Sequence, residues 1–304
     1  MQIEALSVKS HTGLNIESMT FHDLTLLVGV SGSGKSQVLY YLKELTRLLC
    51  HQSFTPLPTG EYTLQFRWGE QRYIYHLNVD QPHHINGHLS TTDHQLSLPL
   101  QLNKLTRSIR LIQPVSLIRQ TRLQKQSLNL SSPHILERLA YVYEYRSELF
   151  EEIRDLYTII FEQVTDIKFQ EEGNTYQLYL QEKSEAWVTQ EVISDGMFKT
   201  LVYLSEIILS EPGTVLLIDE FENGLGLNCL GIMLDEMMQR RDIQLIVTSH
   251  HPYIINNVPT ENWTVVMREG LMIHSKSAAD LGIGQTKYDA FFELMNRLEY
   301  EGVL

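Results

Sequence analysis

A chain of 304 residues, 43% hydrophobic and 20% charged, is long enough to bury a sizeable core, yet no stretch approaches the ~18 apolar residues of a membrane span. Its net charge of −13 speaks against a surface built mainly to coat nucleic acid. Cys50 and Cys229 stand far apart and outside any C-x-x-C pattern, which excludes a disulfide framework, and without a basic-then-apolar leader at Met1 a cytoplasmic location is expected.

In chain order, residues 1–28 read as an opening β-hairpin followed by a buried strand, Leu24 to Val28. That strand runs into Gly29-Val-Ser31-Gly32-Ser33-Gly34-Lys35-Ser36, which fits G-x-x-x-x-G-K-[ST] in the strand-loop-helix setting the motif requires. Its glycines let backbone N–H groups curl around phosphate oxygens, and the helix that follows points its positive end at the same oxygens. Lys35 is expected to reach the β- and γ-phosphates and the Ser36 hydroxyl to ligate Mg²⁺, with the backbone of Gly29, Ser31, Gly32, Ser33, Gly34 and Gln37 completing a cradle for ATP. From Ser36 to Cys50, apolar residues recur at helical spacing.

Glu61 to Trp68 and Arg72 to Val79 alternate apolar and polar residues across Gly69-Glu70, an antiparallel hairpin. The stretch 81–94, with His83, His84, His88, Asp93 and His94, is expected as a polar loop, with a metal site as the rarer alternative because no fixed ligand spacing appears. Between Asp93 and Glu137 there is no acid, only Lys104, Arg107, Arg110, Arg119, Arg122 and Lys125, so this segment is +6 and the remainder −19. Such a block is a solvated positive face or a site for nucleic acid or an acidic partner. Ser108 to Ile112 reads as a buried strand, Ile135 to Val164 as one helix or two joined, and Thr165–Gln170 with Thr175–Gln181 as a second hairpin.

In the second half, Val215-Leu-Leu-Ile ends in Asp219-Glu220, two carboxylates at the tip of an apolar strand, suited to anchoring Mg²⁺ and polarising water. Ser194-Asp-Gly196 opens a helix to about Ser210, where Ser194 is an N-cap or part of a second anion site. Leu245 to Thr248 is another buried strand; it runs into Ser249-His250-His251-Pro252, with His250 a satisfied strand-end histidine or a sensor of the γ-phosphate. Residues 275–285 are expected as a loop, and Tyr288 to Tyr300 as an amphipathic helix that packs on the core or docks a partner subunit.

Phosphate loop, S-D-G-x-x-K, the D-E strand with Glu222-Asn-Gly-Leu225, and T-S-H-H-P in this order resemble the ABC-type, AAA-like ATPases of the SMC, RecF and OLD group. The resemblance runs from the opening hairpin to the strand at 263–267. It implies an α/β fold: an ABC-type P-loop ATPase head with a mixed or parallel central sheet, an antiparallel β subdomain and a helical lobe. The nucleotide-binding lobe is expected at about 1–125 and 200–274, the helical lobe at about 126–199 and a C-terminal helical tail at 275–304. It implies that Asp219 is the acidic metal partner, Glu220 the catalytic base and His250 the γ-phosphate switch. Gln113 is the best placed residue for a glutamine that touches Mg²⁺. The resemblance further implies that Ser194 and Gly196 act in trans, so that two chains sandwich two ATP molecules head to tail. The segment 222–228 resembles the family's subunit-crossing loop, but its usual His-Pro is here Gly226-Leu227.

The expected function is that of an ATP-hydrolysing, Mg²⁺-dependent homodimer controlling a separately encoded effector such as a nuclease or toxin, as in bacterial anti-phage defence, with no membrane role. The alternative is an ATP-dependent DNA repair or recombination factor contacting nucleic acid through residues 104–125. A transporter subunit is disfavoured because S-D-G-M-F-K lacks the usual glutamine, and a small-molecule kinase because it leaves Ser194-Asp-Gly196 unexplained.

Overall fold

The computed structural model describes residues 1–49, 55–81, 84–91, 95–96, 109–112, 122–184, 186–283 and 290–300. In chain order these form β1 (Gln2–Ser10), β2 (Asn15–Thr20), β3 (Leu24–Val28), α1 (Lys35–Leu49), β4 (Gly60–Trp68), β5 (Gln71–Gln81), β6 (His84–Thr91), β7 (Gln95–Leu96) and β8 (Ile109–Ile112). There follow β9 (Leu123–Gln124), α2 (Ile135–Tyr145), α3 (Ser147–Ile160), β10 (Val164–Glu172), β11 (Thr175–Glu182), β12 (Trp187–Thr189) and α4 (Asp195–Leu209). The chain continues with β13 (Val215–Ile218), α5 (Leu227–Gln239), β14 (Gln244–Thr248), α6 (Pro252–Asn257), β15 (Trp263–Glu269), β16 (Met272–Ser277) and α7 (Ala290–Tyr300). No described helix is long and apolar enough to cross a membrane.

These elements fall into two compact units, one of residues 1–112, 211–221 and 241–304, the other of 113–210 and 222–240. The first holds a 12-stranded sheet in the order β7-β6-β5-β4-β1-β2-β16-β15-β3-β14-β13-β8. From β15 to β8 the neighbours run parallel, whereas β7 to β2 form an antiparallel arm. The mixed sheet expected from the sequence is therefore present. β13 and β14 are buried along their whole length, which is why they read as continuous apolar runs rather than alternating ones. α1 turns Val38, Leu39, Leu42, Leu45 and Leu49 into the same core as the arm residues Tyr62, Leu64 and Phe66.

Two expectations are corrected here. The stretch 81–94 is not simply a loop, because β6 pairs antiparallel with β5 from Thr91 to His84. Likewise β16 extends to Ser277, into the segment 275–285 expected as a loop, and pairs Ser277 with Thr264. In both places inter-strand hydrogen bonding overrides a composition rich in polar residues.

The second unit pairs a small sheet, β10-β11-β12 with β9 on β11, with helices α2 to α5. The stretch 135–164 expected as helix ends at Ile160, since Val164 already opens β10, and it divides at Arg146, whose φ of −144° and ψ of 63° separate α2 from α3. α4 is buried on nearly every side, and both of its ends are secured. At its start Met197 N–H donates to the Ser194 hydroxyl at 3.3 Å, an N-cap. At its end two arginines take up the carbonyls that a helix terminus leaves unpaired. Arg240 donates to the carbonyls of Ile207, Ile208 (3.2 Å) and Ser210 (2.6 Å), and Arg138 to that of Leu209. Arg138 also meets Glu206 at 2.7 Å in a buried ion pair. Arg240→Ala is therefore expected to lower the stability of this unit by about 1.5–3 kcal/mol, the range for hydrogen bonds to a charged group. The midpoint of urea unfolding followed by circular dichroism measures it, and Arg240→Lys, a point charge that cannot span three carbonyls, is expected to recover only part of the loss.

Candidate nucleotide site

The parallel strands β3, β13 and β14 all end at one edge of the sheet, so the segments that leave them emerge together. From β3 comes the glycine loop. Gly29 has a φ of +150°, and a β-carbon there would stand 2.3 Å from the Val266 carbonyl oxygen; at Gly34, φ +100°, it would stand 2.4 Å from Ile273 Cδ1. Only glycine fits either position, and that allows the loop to fold back tightly over its own helix start. Lys35 Nζ donates to the carbonyls of Gly29 (2.8 Å) and Val30 (2.9 Å), which holds the ammonium across the loop mouth. The Ser33 hydroxyl is buried with no hydrogen-bond partner among the described residues.

From β13 comes the acid pair. Asp219 Oδ1 accepts from the Ser36 hydroxyl at 3.0 Å and from the Thr248 hydroxyl at 2.7 Å. Glu220 follows with φ +47°, the one left-handed non-glycine residue among those described. A conformation of that kind costs on the order of 1–3 kcal/mol and persists only where the surroundings hold it. Here its amide donates to the Thr248 hydroxyl at 2.8 Å, and the Phe221 amide to the Thr248 carbonyl at 3.1 Å. Its side chain is exposed.

From β14 come His250, exposed, and His251, whose Nδ1 accepts from the Tyr253 amide at 3.2 Å and so caps α6. His250 lines a cavity of about 240 Å³ together with Gly29, Val30, Ile255 and the α7 residues Phe291, Leu294 and Leu298. The amide of Phe291 donates to Asn256 Oδ1 at 3.0 Å, which ties the start of α7 to α6. The apolar spacing of 288–300 foretold a helix, but its place beside the first turn of the phosphate loop was not readable.

Lys35, Ser36, Asp219, Glu220 and His250 thus lie in the first unit; hydrogen bonds through Asp219 and Thr248 join Ser36, Asp219 and Glu220, and Lys35 is held within the loop. Ser194 and Gly196 lie in the second. There a β-carbon on Gly196 would meet the Gly224 carbonyl at 3.0 Å, so the Ser194-Asp-Gly196 turn packs against the turn at Gly224. Val192 and Leu227, beside these two turns, are exposed apolar residues. Gln113 lies outside the described residues, as do Lys104, Arg107 and Arg119. Arg110 is placed in β8 by its backbone; Arg122 is exposed, and Lys125 Nζ is paired with Glu171 at 2.8 Å. Of the histidine stretch, His83, Asp93 and His94 lie outside as well, His88 stacks on His76, and among the described residues no group of three or more His, Cys, Asp or Glu could hold a metal.

The donor set fits a magnesium nucleotide. A serine hydroxyl and a carboxylate 3.0 Å apart are hard oxygen donors of the kind Mg²⁺ takes in small number. The glycine loop, the lysine and a helix N-terminus beside it suit a polyphosphate. Sequence reasoning counted Thr248 within T-S-H-H-P, at the end of a buried strand, but gave it no role of its own.

Comparison with solved structures identifies this fold. A structure described as "Crystal structure of the SmcHead bound to the C-winged helix domain of ScpA" matches with a TM-score of 0.65 at 14% identity, over 91% of this chain and 98% of that one. An SMC head domain from Thermotoga maritima matches at 0.52 and 13% identity, over 91% and 99%. An SMC head with an extended coiled coil, bound to the C-terminal domain of ScpA derived from Pyrococcus furiosus, matches at 0.61 and 11% identity, over 92% and 97%. No curated protein matches the chain. The family model described as "AAA domain, putative AbiEii toxin, Type IV TA system" matches residues 24–256, more than half of the sequence and every motif of the site. The chain accordingly belongs to that AAA-domain family and has the fold of an ABC-type P-loop ATPase of the SMC group.

Proposed function

We propose that the chain binds ATP with Mg²⁺, hydrolyses it, and pairs head to tail with a second copy around the nucleotide, so that ATP state governs a partner effector. The observation that carries this reading is the cluster at the edge of the sheet, where Ser36 and Thr248 both donate to Asp219 and the turn at Glu220 is fixed beside it. Phosphoryl transfer to water demands positioning and charge neutralisation more than covalent chemistry. Lys35 and the loop amides would hold the β- and γ-phosphates. Mg²⁺, held by Ser36 and Asp219, would neutralise phosphate charge when bound. Glu220 would accept a proton from the attacking water, and His250, exposed at the end of β14, would donate to the γ-phosphate.

Dimerisation is supported by the second unit. Ser194 stands exposed at the N-terminus of α4, an anion-binding end, with Val192 (71% exposed) and Leu227 (75% exposed) close to it in sequence or across the adjoining turn. Leu227 takes the position of a Pro in the resembled subunit-crossing loop and would supply an apolar contact there. An effector partner is supported by the AbiEii toxin and Type IV TA wording of the family, which also fits a defence role. It is further supported by the solved heads described as bound to ScpA domains. Residence in the cytoplasm belongs to the same reading. Purified protein is expected to release phosphate from ATP with Mg²⁺ and none in EDTA; equal rates in both conditions would remove the mechanism.

A further inference from the structure

We infer that Thr248 is a positioning residue for both acids of the site, its one hydroxyl setting the Asp219 carboxylate and the Glu220 turn at once. The inference rests on the nucleotide reading above and adds a residue to it. Thr248 is the last residue of β14 and is 1% exposed. β13 and β14 run parallel, with Ile218 opposite Val247 as the final register pair. One step further, the ladder ends and Thr248 takes over. Its hydroxyl spends its single proton on Asp219 Oδ1 at 2.7 Å and offers a lone pair to the Glu220 amide at 2.8 Å. Its carbonyl accepts from the Phe221 amide at 3.1 Å.

The three contacts grip consecutive residues 219, 220 and 221, so the chain is fixed where it departs from the sheet. Asp219 Oδ1 has two hydroxyl donors, Ser36 and Thr248. The Ser36 hydroxyl is the one a bound cation would claim, which leaves Thr248 as the donor that keeps the carboxylate in orientation. A threonine suits this better than a valine of the same shape, which would pack equally well in β14 yet offer neither bond. Glu220 then loses the acceptor that holds a left-handed residue, and Asp219 keeps only the Ser36 hydroxyl, which a bound cation would claim.

The test compares Thr248→Val with Thr248→Ser. For Thr248→Val, kcat for ATP is expected to fall roughly 10–100-fold, the usual effect of losing an outer support of a metal ligand, with KM little changed because the glycine loop is untouched. The Mg²⁺ concentration that half-saturates tightening of a fluorescent ATP analogue is expected to rise by roughly 10-fold or more, while binding of the analogue in EDTA stays as in the wild type. In protein without metal or nucleotide, amide hydrogen exchange at 219–221 is expected to quicken. Thr248→Ser restores all of these. A Mg²⁺ titration and amide exchange for Thr248→Val that match the wild type would overturn the inference, as would a serine variant as impaired as the valine one. Should the valine variant not fold, Thr248→Ser against Thr248→Ala makes the same comparison, since both lack the methyl group and differ in the hydroxyl alone. A wild type that hydrolyses no ATP defeats the proposed function, and amide exchange at 219–221 still decides the role of Thr248.

Discussion

Glu220→Gln is expected to cut ATP hydrolysis by roughly 10²–10⁴-fold, the contribution of a positioned general base, while leaving ATP binding intact. Glutamine has the shape of glutamate but its amide cannot take a proton at neutral pH. The side chain is exposed, so the change removes no packing, and the backbone bonds from 220 and 221 to Thr248 do not involve it. The variant should therefore fold and load nucleotide like the wild type, then stall before cleavage. If cleavage separates the two copies, stalled protein accumulates as an ATP-bound pair. Phosphate release measures the first effect and sedimentation with and without ATP the second. Glu220→Gly is a sharper companion. It should lose turnover equally, yet melt at a higher temperature than the wild type, because a glycine at φ +47° relieves a strain on the order of 1 kcal/mol or more. A site kept at a cost in stability is expected to behave in that way. Steady-state hydrolysis that survives Glu220→Gln would remove Glu220 as the base.

How much of this was legible in the sequence follows from where each constraint resides. The phosphate loop was readable because its constraint is local: left-handed glycines and a helix start within eight residues admit few other sequences. β13 and β14 were readable as apolar runs because parallel strands are covered on both faces. β6 was not, since its residues His84 to Thr91 are those of a loop. Its pairing depends instead on β5, where Gly87 lies against Tyr75, close enough that a β-carbon would stand 2.7 Å from the tyrosine oxygen. The break between α2 and α3 carries neither glycine nor proline at Arg146, so periodicity alone left one helix or two open. Thr248 was visible within T-S-H-H-P, but what it holds was out of reach for a different reason. Its partners are 28 and 29 residues away, and a threonine at the end of a buried strand looks like any β-branched residue that suits a sheet. The arginine caps of α4 are equally invisible, because a helix C-terminus does not announce which distant side chain closes it.

Ser194→Asp is expected to abolish ATP-dependent pairing without unfolding the chain, and it separates two roles that the same serine could have. As an N-cap, Ser194 receives the Met197 amide, and aspartate fills that role at least as well, so α4 should keep its start and its buried contacts. As a ligand for the triphosphate of a second copy, however, the position becomes hostile, because a carboxylate set against phosphate oxygens costs several kcal/mol. The cap predicts no change and the trans contact predicts loss. The measurement is sedimentation of the double variant Glu220→Gln, Ser194→Asp with ATP, expected to show monomers where Glu220→Gln alone shows pairs. The head-to-tail arrangement makes a stricter demand on mixtures. Lys35→Ala lacks a functional phosphate loop and Ser194→Asp lacks a usable trans contact to the triphosphate, so neither is expected to pair with itself. Mixed together, they can build one intact site from the Lys35 of one copy and the Ser194 of the other, and half of the wild-type nucleotide is expected in the resulting heterodimer. Pairing of Ser194→Asp with itself in ATP, or no recovery in the mixture, would mean that the serine acts only within its own chain.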